Sequence, residues 1–129
     1  MYNLACSYDF ADGIEQNYKE AAYWYQKALD NDFIVACNNL GVLYEYGHGI
    51  NQDLKKAFEL YLKAANSDDA NGCFNLANCY LSGKGVSKDI EKAKQWFKKA
   101  DELGHSRAKE SLKKLSKKTG TFKHIFTKK

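Results

Sequence analysis

Residue types able to do covalent or proton chemistry are few in this chain and poorly spaced for it. The three histidines, His48, His105 and His124, stand at no motif spacing to a nucleophile, as general-base or nucleophilic catalysis requires. The four cysteines, Cys6, Cys37, Cys73 and Cys79, form no clustered Cys/His pairs, so no zinc site is expected. Gly47-His48-Gly49 and Gly83-Lys84-Gly85 superficially look like phosphate-binding loops, but they lack the full motif and the strand that must precede it. The sequence therefore predicts no enzyme, no cofactor, no metal and no small-molecule substrate. Amides offer recognition instead. Asn3, Asn39 and Asn75 recur at one interval just before a leucine, and Asn38 and Asn78 stand beside them. Their amides can bond the backbone of an extended partner, or can bond neighbouring backbone and hold the fold together. Tyr46 and Phe74 fall outside the inward stripe and are expected to be exposed apolar anchors. These seven residues are the candidate partner-binding set.

What positions them is a repeat of 36 residues. Leu4, Leu40, Leu76 and Leu112 fall one period apart, as do Tyr8, Tyr44 and Tyr80, and Gly13, Gly49 and Gly85. Ala21, Ala57 and Ala93 follow the same interval, and so do Ala28, Ala64 and Ala100. No insertion breaks the register. Such self-similarity marks a solenoid, in which each unit buries its apolar face against its neighbours.

The middle unit shows how one repeat is built. Ala36, Leu40, Leu43 and Tyr44 make the stripe of an amphipathic helix, which Gly47-His48-Gly49 stops. Asp53 is placed to cap a second helix bearing Ala57, Leu60, Tyr61 and Ala64 on one face. Asp89 does the same in the next unit, and Asn17 with Glu20 forms a candidate capping box in the first. Helices are expected near 2–10, 17–30, 35–46, 53–66, 71–82, 89–103 and 106–118. Tyr23, Trp24, Tyr25, Tyr61, Trp96 and Phe97 on the second helices are read as packing. Ala5, Gly41 and Ala77 share a position that must stay small for the paired helix to approach, and Lys113 occupies it last. Residues 107–118 are therefore expected to be a capping helix, with Ala108, Leu112 and Leu115 inward and the lysines in water. No comparable polar cap precedes the first repeat, so either the chain is a segment of a longer solenoid or its first helix is an exposed edge.

The run Ala-x3-Leu-Gly-x2-Tyr-x2-Gly-x-Gly-Ile-x2-Asp-x3-Ala-x3-Tyr-x-Lys-Ala-Ala, from Ala36 to Ala65, resembles the Sel-1-like repeat. Residues 70–101 repeat it, and the likeness covers about residues 2–115. The first unit departs from it, with Ala11 for the first loop glycine and Asn17 for the aspartate. The tetratricopeptide repeat fits less well, since its unit is 34 residues and usually ends in proline, which this chain lacks. The resemblance implies an all-α, right-handed superhelix of about three helix-pair repeats (about 1–35, 36–71 and 72–107) plus the cap. It also implies an adaptor or scaffold that binds protein or peptide, with first-helix asparagines facing the partner. In cysteine-rich members of the family, a disulfide links the Cys37 and Cys73 position to one eight residues earlier. Here those positions hold Leu29 and Ala65, so reduced, buried thiols are expected.

Charge divides the chain in two. The body to residue 104 is mildly acidic, while residues 105–129 hold nine Lys/Arg against one acid. Residues 119–129 form a basic tail with Phe122, His124, Ile125 and Phe126 among its lysines. An alternative function is docking on nucleic acid or anionic membrane through that tail. No apolar run approaches the ~20 residues of a membrane span, and the start lacks the pattern of a signal peptide. With free thiols, this favours a cytoplasmic location.

Overall fold

The computed structural model describes residues 15–116, and the side chains from residue 17 onward. Every regular element among them is a helix: α1 (Glu15–Asp30), α2 (Ala36–Tyr46), α3 (Leu54–Asn66), α4 (Ala70–Ser82) and α5 (Ile90–Glu102). A sixth, α6, occupies residues 108–116. The expected helix at 2–10, Asn3, Cys6 and the basic tail lie outside the described residues.

Local chemistry sets the helix ends. The carboxylates of Asp53 and Asp89 accept from the backbone N–H of Lys56 (3.0 Å) and Lys92 (3.1 Å), satisfying donors that a helix start leaves orphaned. Asp69 does the same for α4 through Asn71 N–H, at 3.0 Å. The backbone N–H of Asp53 donates to Tyr44 O and that of Asp89 to Tyr80 O, both at 2.9 Å, which clamps the two Gly-x-Gly loops alike. The turns between repeats match as well: Phe33, Asp69 and His105 donate their N–H to the carbonyls of Ala28, Ala64 and Ala100. Asn17 does not cap the first described helix. It lies inside α1.

Packing follows the repeat. Tyr25, Tyr61 and Phe97 occupy one repeat position and are fully buried, as are Leu40 and Leu76. Gly41 admits Tyr61, because a Cβ there would stand 2.7 Å from Tyr61 Cε1. A Cβ on Gly72 would meet that of Ala64 at 2.6 Å. Tyr23 is a correction to the packing expectation: it is 54% exposed, since it projects from the solvent side of α1, away from the Ala21-Tyr25-Ala28 stripe. Trp24 and Trp96 are half-buried. At the far end Ala108 is buried, Leu112 and Leu115 pack on the core, and Lys113 is exposed. The first helices α2 and α4 touch each other directly, besides each packing on α3.

Candidate functional site

A stripe of half-buried and exposed residues runs along each of the two first helices. On α2 the stripe is Asn39, Val42 and Tyr46, at i, i+3 and i+7; on α4 it is Asn71, Asn75, Asn78 and Ser82. Tyr46 is 59% exposed and Asn71 is exposed, while Asn39, Val42, Asn75 and Asn78 are half-buried. Asn71 was not among the candidates, although its spacing to Asn75 and Asn78 was visible in the sequence.

Two of the expected residues take different roles. Asn38 is only 7% exposed, and its Oδ1 accepts from Asn75 Nδ2 at 2.7 Å, so these amides clip one repeat to the next. The pair belongs to a single junction, because the position after Asn38 by one repeat is Phe74. Phe74 is itself a correction: at 8% exposure it is not an exposed anchor. His105 stacks on its ring at 4.1 Å and 7°, Arg107 lies over it at 4.9 Å, and Phe97 meets it edge-on at 5.5 Å. Residues of the following turn cover Phe74, and the helical stripe of α4 alone does not reveal them.

The junction also sets the ionisation of His105. Its Nδ1 accepts from Arg107 N–H at 3.1 Å, which needs the neutral imidazole. Burial first, then the Arg107 charge, pushes its pKa below the ordinary histidine value, against an opposing pull from Asp69. The unfolded chain therefore binds more protons than the folded one as pH falls below about 6.5. The contribution of His105 is fully present above that value and is lost as pH drops through the folded pKa. Melting temperature should accordingly fall between pH 7 and pH 5 more steeply in the wild type than in His105→Gln. Equal slopes would show that this group does not control the effect.

A partly buried polar knot lies at the other end of α2. Glu45 accepts from Tyr61 Oη at 2.6 Å and from Lys84 Nζ at 2.8 Å, while Gln52 Nε2 donates to its backbone carbonyl at 2.7 Å. Burial, then the bond to Glu45, pushes the Tyr61 hydroxyl pKa up. The same carboxylate raises that of Lys84, chiefly through its hydrogen bond. Every partner of Glu45 is structural, so the knot orients the loop of the next repeat instead of offering a reactive group. The thiols are equally inert. Cys37, Cys73 and Cys79 are free and buried, and burial raises each pKa, that of Cys79 to about 12. Among the described residues, no group of three or more His, Cys, Asp or Glu is arranged to hold a metal ion. None of the described helices is long and apolar enough to cross a membrane.

The Sel1 repeat model matches residues 1–33, 34–69 and 70–105, three consecutive units over most of the chain. The chain belongs to the Sel1 repeat family. Its fold is similar to that of a Sel1 repeat protein from Oxalobacter formigenes, with TM-score 0.78 and 33% identity over 86% of this chain and 45% of that one. A protective antigen present in uropathogenic Escherichia coli strains, displaying an SLR fold, is similar at TM-score 0.75 and 32% identity. That match covers 83% of this chain and 23% of the antigen. Helicobacter pylori cysteine rich protein B matches at TM-score 0.67 and 34% identity, over 72% and 70% of the two chains. This chain thus spans less than half the length of the first two. No curated protein matches it. At the site where cysteine-rich Sel1 repeats are expected to carry a disulfide, Cys73 Sγ instead lies 3.8 Å from the carbonyl oxygen of Ala65.

Proposed function

We propose that this Sel1 repeat protein is a non-catalytic scaffold whose first helices receive an extended protein segment. The observation that carries the reading is the Asn71, Asn75, Asn78 and Ser82 stripe on α4, whose last three members stand one repeat after Asn39, Val42 and Tyr46 on α2. Amides at that spacing can match successive peptide groups, while Tyr46 supplies exposed apolar area. Adaptor roles are typical of the family, which supports the same reading. The solenoid is taken as residues 1–118 and the basic tail as 119–129. The buried, inert thiols support a reducing, cytoplasmic setting.

The test begins with affinity capture of a partner from lysate, followed by titration of the purified partner. Asn71→Ala with Asn78→Ala should weaken binding ~5–100-fold, since each neutral hydrogen bond contributes only ~0.5–1.5 kcal/mol. Melting temperature should barely change in this variant. Asn75→Ala, which breaks the clip to Asn38, should lower it. Unaltered affinity in the double variant would leave the amides a structural role alone. Binding that collapses as salt rises through the physiological range would assign the interaction to the basic tail and to an acidic surface.

A further inference from the structure

The two described junctions between repeats differ by one missing ring. In the later one, Phe58 of α3 packs edge-on against Tyr80 of α4, with centroids 5.5 Å apart, and Val86 of the following loop joins the same core. One repeat earlier, the matching positions are Ala22, Tyr44 and Ile50. Where a phenyl ring would stand there is an open cleft of about 330 Å³, lined by Ala22, Leu40, Tyr44 and Ile50 with Lys19, Tyr23 and Gln26 at its edge. Leu40 and Ala22 are buried at its floor, while Tyr44 and Ile50 are half-buried and Tyr23 is exposed beside it.

We propose that this cleft is a binding site for the aromatic side chain of a partner polypeptide, a phenylalanine above all. The protein provides its own reference complex, since the equivalent place one repeat on is filled by a phenyl ring against a tyrosine. Aromatic pairs favour this edge-to-face arrangement. The walls are apolar, and a closed cavity of about 150 Å³ already suffices for benzene. The cleft lies between α1, α2 and the Gly49-Ile50 loop. It is separate from the asparagine stripes, so the inference stands whether or not a peptide binds along them.

N-acetyl-phenylalanine amide is the probe, with N-acetyl-alanine amide as control, titrated into the full chain and followed by NMR. Saturable shifts confined to Ala22, Leu40, Tyr44 and Ile50 are expected, with affinity on the order of millimolar for so small a ligand. The alanine amide should give none. Ala22→Phe should supply the ring internally, abolish these shifts and raise the melting temperature by about 2–6 °C. Phe58→Ala should open a second cleft, with new saturable shifts at Tyr80 and Val86. No saturable shift in the wild type overturns the proposal, as do shifts elsewhere or shifts that persist in folded Ala22→Phe. Changes at these residues that follow protein concentration instead would assign the cleft to a second copy of the chain and overturn it too. If neither variant folds, the wild-type titration against its alanine control decides alone.

Discussion

Gly85→Ala is expected to destabilise the fold by about 2–5 kcal/mol, enough to unfold much of the population of so short a solenoid. Two costs combine. Gly85 has φ +71°, a conformation that costs an L-residue with a Cβ roughly 1–2 kcal/mol. Its Cβ would also fall against the carbonyl of Leu54 and 3.0 Å from Lys55 Cα, so the loop of one repeat and the start of α3 in the previous one would have to separate. Backbone on both sides leaves no flexible side chain to give way. Gly83→Ala is the internal control: φ is +72°, but the nearest atoms to its Cβ would be 3.6 Å away. It should lose only the conformational share. Urea unfolding of both variants separates the costs, and equal losses would refute the close approach as the larger cause.

Glu45→Ala should cost on the order of 2–4 kcal/mol. The change strands the buried Tyr61 hydroxyl, which loses its partner at 2.6 Å, and frees Lys84, whose side chain remains 38% exposed. That exposure lets water solvate the freed ammonium, which keeps the loss below the value for a fully buried pair. Removing both polar partners behaves differently. The next repeat carries Leu81 at the position of Glu45, so an apolar residue is compatible with the helix there. Glu45→Leu combined with Tyr61→Phe should therefore recover part of the stability lost in Glu45→Ala. Thermal unfolding in a double-mutant cycle measures the coupling, and strict additivity would show that Glu45 and Tyr61 do not act together.

The sequence by itself determined the repeat, the family, the helix pairs and their inward faces. The reason is that these depend on signals a few residues apart: the 3.6-residue apolar stripe, Asp53 and Asp89 ahead of their helices, and glycines after α2 and α4. Leu40, Leu76, Tyr61 and Phe97 lie buried where that stripe puts them. Gly41 was legible too, because its small size has one use against a paired helix. Tertiary structure alone decided which remaining flank of each helix the next repeat covers. Asn38 meets Asn75 37 residues on, Glu45 meets Lys84 39 residues on, and Phe74 disappears beneath His105 and Arg107. Those partners sit near, but not at, the 36-residue interval. Reading them requires the offset with which one helix pair packs on the next, and side-chain volume at the contact fixes that offset. For the same reason the cleft at Ala22 is invisible in its own repeat. It exists only because the position that carries a ring in one junction carries a methyl group in the other.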